Sequence, residues 1–172
     1  NKGLGVDNAM DGVRVKYNIL NSIDIKSFIG TSRTYLEYSD GIVRGIDVET
    51  NLFELLALEK STNLILGSSF VSRFQKDNNP KFNLPQNVGV YGFRSNLISG
   101  NFNYYLEYVH KYNDPAGSIA DNSNNYATGN AIKTSLTYFQ KGLGFSFDAH
   151  RVDNMEFRSE RQQSKEYIIN YI

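Results

Sequence analysis

The sequence predicts an all-β fold, an antiparallel up-and-down transmembrane β-barrel of which the chain supplies about eight to nine strands. Apolar and polar residues alternate with period two in one segment after another. Several segments reach the roughly 9 to 11 residues that a tilted strand needs to cross a membrane, whereas strands of globular proteins usually stop at about 5 to 6. Short and long connections alternate along the chain, which is typical of outer-membrane barrels.

Each predicted strand is an alternating run bounded by turn-forming Asn, Asp, Gly or Ser. The clearest run is the sixth, where Phe102, Tyr104 and Leu106 fall on one face and Asn103 and Glu107 on the other. The predicted strands are residues 13–19, 23–38, 42–56, 63–75, 87–94, 101–112, 130–140, 143–152 and a ninth that begins near residue 167. A short helical turn within 52–58 remains an alternative to the end of the third strand.

The predicted connections differ in length. Those after the first, third, fifth and seventh strands are short, at 20–22, around 60–62, 95–100 and 141–142. Those after the fourth, sixth and eighth are long and polar, at 76–86, 113–129 and 153–166. Ser39-Asp40-Gly41 breaks the alternation, because Asp-Gly favours a tight hairpin after the second strand. Up-and-down order brings every second connection to one end, so we expect the three long loops to emerge on the same rim.

Composition is consistent with one β-rich domain. The chain has 172 residues, 13% of them aromatic, with no cysteine and a formal net charge of zero. This charge balance gives no reason to expect a nucleic-acid partner. We expect a single barrel segment over 1–172, with a leading loop at 1–12 and about nine strands over 13–172.

The two ends of the predicted sheet need partners. Asn1 stands in place of Met, and no signal segment precedes the strands, so we expect a processed or partial chain. Nine strands is an odd number, whereas single-chain bacterial barrels usually have an even one. Hydrocarbon cannot satisfy the bare backbone groups of two sheet edges. We therefore expect further strands upstream of Asn1 and downstream of Ile172, or strands from another protein.

One part of the sequence resembles a known family. Gly3-Leu-Gly-Val-Asp-Asn8, followed by Asp11-Gly-Val-Arg-Val-Lys-Tyr17, resembles the start of a family of uncharacterised outer-membrane β-barrel proteins from Bacteroidota. The resemblance implies a barrel in the outer membrane, with no assigned activity and with more strands than this chain contains. It carries over no functional residue.

The alternation predicts which side chains meet lipid. The opposite register would expose Glu107 and Asp148 to hydrocarbon, which is unfavourable for charged side chains. The predicted lipid-facing residues are Phe102, Tyr104, Leu106, Tyr108, Phe145 and Phe147. The predicted lumen-facing residues are Arg14, Lys16, Glu107, Lys133, Asp148 and His150. Inward charges of both signs favour a narrow, salt-bridged interior over a pore that selects ions of one sign.

Few residues suggest chemistry. With His110 and His150 as the two histidines and no cysteine, a zinc site is nearly excluded. His150 shares a predicted face with Asp148, as an acid/base pair would. A polar histidine at the lumen or rim explains the same pattern more simply. We assign no catalytic, cofactor-binding or metal residue, and we expect no cofactor.

The predicted function is that of an integral protein of the bacterial outer membrane, either a porin-like channel or transporter or a structural component of a membrane protein complex. The expected partners are outer-membrane lipid and other subunits of an uptake or secretion complex. A soluble surface β-sandwich that acts as a binding module is the alternative, since it also buries one face of each strand. The absence of Trp disfavours a sugar-stacking platform. An outer-membrane hydrolase is a weaker alternative that depends on the histidines.

Overall fold

The computed structural model describes residues 10–34, 37–58, 61–75, 86–114 and 127–155. Within them, eight antiparallel strands form one sheet in chain order, each strand pairing with its sequence neighbours. The elements are β1 Met10–Ile19, β2 Ile23–Thr34, β3 Glu37–Asn51, α1 Leu52–Leu55, β4 Thr62–Gln75, β5 Gln86–Ser99, β6 Phe102–Asp114, β7 Ala127–Gln140 and β8 Leu143–Asp153. The all-β, antiparallel up-and-down fold is thus confirmed. The ninth strand near residue 167 lies outside the described residues.

The second connection differs from its prediction. Ser39-Asp40-Gly41 lies inside β3, and Thr34 pairs with Glu37, so the connection falls at 35–36. Gly41 also pairs with Gln75 on the other side of β3. The Asp-Gly turn signal is wrong here because the strand continues through this stretch and Gly41 is held in the ladder by Gln75 of β4, and tertiary pairing overrides local propensity.

The fifth strand is longer than predicted. The segment 95–100 is not a loop, because β5 continues to Ser99 and only Gly100 and Asn101 form the turn. Ser95 pairs with Leu66 on one side and with Leu106 on the other. Pairing on both sides supplies ladder hydrogen bonds that make this polar sequence extended. Gly100 adopts φ +52°, a left-handed conformation that glycine accommodates without a Cβ clash.

The helical alternative within 52–58 is confirmed as the short helix α1, and the third strand therefore ends at Asn51 instead of residue 56. Asn51 caps the helix, because its side-chain oxygen accepts a hydrogen bond from the Glu54 backbone N–H at 3.3 Å. The Asn51 side-chain amide in turn donates to Glu54 Oε2 at 3.2 Å. This reciprocal arrangement resembles a capping box and ends the strand.

The tight turns lie at one end of the sheet, called here the tight-turn end. The predicted turns at 20–22 and 141–142 are confirmed, with positive φ at Leu20, Asn21 and Gly142. The residues between β4 and β5, between β6 and β7, and after Asn154 and Met155 lie outside the described ranges. The strand ends that flank these three segments all lie at the opposite end of the sheet, called here the long-loop end.

The sheet has two distinct faces. The inner face carries Arg94 and a packed cluster of small apolar side chains, while the outer face carries Phe102 and Phe147, which are about half exposed. Members of the inner cluster are Val88, Val90, Val109, Ala131 and Met155. Side chains alternate between the faces along each strand, so the register assigns the remaining residues.

The edges of the sheet are β1 and β8. Within the described residues these two strands pair with β2 and β7 and not with each other, so the sheet is not closed there. Among the residues that the structure describes, no helix has the length and apolar character needed to span a membrane.

Candidate functional site: the two faces of the sheet

Arg94 is the centre of an ionic network on the inner face. Its side chain is 6% exposed, and its Nη1 and Nη2 atoms lie 2.7 Å from Asp47 Oδ1 and 2.9 Å from Glu49 Oε2. Nη1 also donates to Ser69 Oγ at 2.8 Å. A planar guanidinium suits this arrangement, because its fork of donors engages two carboxylates at once. The result is a shielded cation that is paired with two carboxylates.

Gly67 makes room for this network. It pairs with Arg94 in the ladder, and Glu49 is its partner on the other side. A Cβ placed at Gly67 would lie 2.5 Å from Arg94 Nε, too close for any real contact. The absent side chain therefore lets the guanidinium lie across β4 and reach the carboxylates of β3.

The network continues on both sides of Arg94. Lys26 Nζ lies 3.8 Å from Asp47 Oδ2, which is the limit of an ion pair and a weak contact. In the other direction, Tyr105 donates from its hydroxyl to Glu107 Oε2 at 2.7 Å. Glu107 pairs across the ladder with Arg94 and with Lys133. Polar side chains thus follow one another across the inner face from β2 to β7.

The predicted lumen-facing residues share this inner face. Arg94, Glu107, Lys133 and His150 follow one another across β5 to β8 by ladder pairing. By the same rule Arg14 and Lys16 of β1 and Asp148 of β8 also lie on the inner face. Contact with a lumen stays a prediction for all six.

The predicted lipid-facing residues share the outer face. Phe102 pairs with Tyr138, which pairs with Phe145, and the rings of Phe102 and Tyr138 lie 4.6 Å apart. The next row joins Tyr104 to Phe147 through Leu136. The large apolar residues of this face that are largely exposed include Val13, Val15, Tyr17, Ile29, Ile46, Leu66, Phe93, Ile132, Phe145 and Phe147. Contact with lipid stays a prediction.

The apolar band of the outer face ends toward the long-loop end. Tyr108 donates to Asn130 Oδ1 at 2.8 Å, and His110 Nδ1 lies 2.7 Å from the same oxygen. The Tyr91 ring lies 5.2 Å from the His110 ring and 6.1 Å from the Tyr112 ring. Aromatic and polar side chains thus contact one another at this border of the band, a combination also found at the borders of membrane-spanning barrels.

The histidines show no catalytic arrangement among the described residues. Asp148 Oδ2 accepts a hydrogen bond from Ser146 at 3.3 Å, and no contact joins His150 to Asp148. His110 bonds to Asn130 and packs on Tyr91, on the face opposite to the charged residues. No group of three or more His, Cys, Asp or Glu side chains in the described part of the chain could hold a metal ion.

The roles of three residues were not predicted: Arg94, Tyr105 and Gly67. Period two places Arg94 on the same face as Val88 and Val90, so the alternation alone could have predicted the face of Arg94. Its partners lie 45 and 47 residues away along the chain, and no sequence pattern connects them. The role of Gly67 follows only from the register that sets it beside Arg94.

Comparison with known proteins gives a single result. A family model described as a family of unknown function, DUF6029, matches residues 1–172. No curated protein and no solved structure matches the chain. The predicted resemblance to an uncharacterised family is therefore confirmed, while its origin in Bacteroidota outer membranes stays a prediction.

Proposed function

We propose that this chain, which belongs to the DUF6029 family of unknown function, forms part of a transmembrane β-barrel in a bacterial outer membrane. The barrel acts as a channel or transporter or as a structural component of an outer-membrane complex. Outer-membrane lipid is its first partner, and subunits of an uptake or secretion complex are further partners. The resemblance of residues 3–17 to Bacteroidota barrel proteins supports this setting.

The apolar outer face is the observation that carries the proposal. Leu66, Leu106 and Phe147 lie on this face about four residues from the tight turn of their strands, where the polar neighbours, such as Ser95 and Thr134, are uncharged. Charged residues and histidine appear on this face about 7 to 8 residues from the turn, as at Arg44 and His110. At about 3.3 Å per residue and a tilt of about 40°, the apolar band is roughly 20 Å tall. Outer-membrane barrels carry an apolar band of about 25 Å.

The inner face supports the same proposal, because it holds charges that the outer face lacks in its apolar band. Arg94, Glu107 and Lys111 are buried there although the chain forms one sheet. A water-soluble sheet protein buries its apolar face and exposes its charged one. The reverse arrangement is expected when lipid is the solvent on one side. The packed cluster around Val109 favours a narrow, filled interior beside β5, β6 and β7 over a wide pore.

The soluble β-sandwich is less well supported. A sandwich packs its apolar face on a second sheet about 10 Å away. All eight described strands belong to one sheet, and its outer face bears half-exposed Phe145 and Phe147. The hydrolase alternative has no observation in its favour, because His150 does not contact Asp148 in the structure.

Membrane extraction and gel mobility test the proposal. The full-length protein is expressed in a Gram-negative host, the outer membranes are isolated, and migration is compared with and without boiling. A barrel is expected to need detergent for extraction and to migrate differently before and after heating. Extraction into plain buffer, with one mobility under both conditions, would show that the protein is soluble and that the proposal is wrong.

A further inference from the structure

We propose that Arg44 binds the phosphate of a lipid headgroup at the border of the apolar outer face. This inference rests on the proposed membrane location and adds a specific lipid contact to it. Arg44 lies in β3, an interior strand, and its ladder partners on both neighbouring strands are described.

The neighbours of Arg44 offer it no counter-charge. Across the ladder it pairs with Ile29 of β2 and Ser72 of β4. Along β3 its outer-face neighbours are Ile42 and Ile46, both exposed. The diagonal positions on the adjacent strands hold Ser27, Thr31, Phe70 and Phe74. Arg44 is exposed and makes no ion pair with any described residue, so an anion that meets this guanidinium comes from outside the described chain.

The height of Arg44 fits a headgroup. It lies seven residues from Asn51, where β3 ends at the tight-turn end. At about 3.3 Å per residue and a tilt of about 40°, this places its Cα roughly 18 Å along the membrane normal. Long basic side chains extend from such depths to the interface. Arg engages phosphate oxygens with two parallel N–H donors, so a lipid phosphate offers both the charge and the geometry that no described residue offers to Arg44.

Lipid retention tests the proposal. The full-length protein is purified in mild detergent, mixed with phosphatidylglycerol or with diacylglycerol of the same chains, and analysed by native mass spectrometry. Diacylglycerol is the matched probe because it lacks only the phosphoglycerol headgroup. We expect the wild type to prefer phosphatidylglycerol and R44Q to lower this preference about fivefold, as the loss of one basic residue near a membrane surface predicts. R44K should retain part of the preference. R14Q, which removes an exposed arginine from the inner face, is the matched control and should leave the preference unchanged.

Each outcome has a defined meaning. Equal preference in the wild type and R44Q, or an equal loss in R14Q, would overturn the assignment to Arg44. A subunit that copurifies with the wild type and is lost with R44Q, at unchanged lipid preference, would show that a protein carboxylate is the partner and would also overturn it. Heat-dependent gel mobility of every variant verifies folding. A protein that is soluble without detergent would overturn the membrane proposal itself, whereas a heat-modifiable barrel with equal retention would overturn only the Arg44 proposal.

Discussion

The two faces of the sheet handle charge in opposite ways. On the inner face, Arg94 is nearly buried and lies within 3 Å of both Asp47 and Glu49. On the outer face, Arg44 is exposed among isoleucines and phenylalanines, and its described ladder and diagonal neighbours include no acidic residue. The charge of Arg94 on the inner face is neutralised by carboxylates of the protein, whereas Arg44 on the outer face makes no ion pair with any described residue. The comparison shows that one strand can carry both kinds of charge, since β3 supplies Asp47 and Glu49 to the inner face and Arg44 to the outer face.

The largest effect is expected from the two arginines themselves. R94M removes a cation that two part-buried carboxylates share, and loss of one partner from a buried ion pair costs about 3 to 5 kcal/mol. R44M removes a charge without acidic neighbours and should change the free energy of unfolding by about 1 kcal/mol or less. Urea titrations that follow the folded band on a gel measure both variants. Equal losses would show that the faces do not differ as described.

A second pair probes adjacent positions of β8 on opposite faces. F147R places a guanidinium in the apolar band, which costs about 2 to 4 kcal/mol near the midplane of a bilayer. S146R places the same group on the exposed inner side and should be nearly neutral. The folded fraction after refolding into lipid vesicles reports the difference. If F147R is as stable as S146R, the outer face does not contact hydrocarbon.

A third pair uses neighbouring tyrosines of β6. Y105F deprives Glu107 of a hydroxyl donor at 2.7 Å, and a hydrogen bond to a charged group contributes about 1.5 to 3 kcal/mol. Y104F removes a hydroxyl from the outer face, where Tyr104 is 37% exposed, and should have little effect. Urea midpoints of the two variants give the comparison. A larger loss for Y104F would contradict it.

The smallest effect is expected from glycines of the inner face. G67A would force a methyl group against Arg94 and displace it from its carboxylates, which should cost about 1 to 3 kcal/mol as an overpacked site. G144A is the control, because a Cβ there would meet only the Phe139 ring at 3.5 Å, an ordinary contact. The temperature at which the folded gel band disappears measures the stability of each variant, and it should be lower for G67A than for G144A. Combined with R94M, G67A should add little, since the two substitutions affect the same contact.

The alternation of residues predicted most of the fold. Period two predicted nine strands, of which eight lie in the described residues and are confirmed. It also predicted the face of residues such as Phe102 and Glu107, because each side of the sheet favours a different class of side chain. It failed at Ser39-Asp40-Gly41, which lies inside β3 with Gly41 paired to Gln75, and at residues 95–99, which are held in the ladder by strands on either side. Local sequence cannot show pairing with a neighbouring strand.

The inner network was less predictable than the strands. Asp47 and Glu49 alternate with apolar residues of β3 and so fall on the inner face by pattern alone. Their bonds to Arg94 depend on the register of three strands and on the space left by Gly67. The isolation of Arg44 has the same origin, because the diagonal neighbours Phe70 and Phe74 are set by that register.

The strict chain order of the strands affects how the molecule holds together when it is cut. Among the described strands, every ladder joins two consecutive ones, so no pairing within this part of the chain links β1, β2 or β3 to β5, β6, β7 or β8. A protease cut between two of these strands would leave each part with all of its internal ladders, and a single ladder of the described sheet would join the parts. The same order lets the sheet assemble by adding one hairpin after another, without closing long loops first. Two halves expressed separately are therefore expected to reassociate along the one shared ladder.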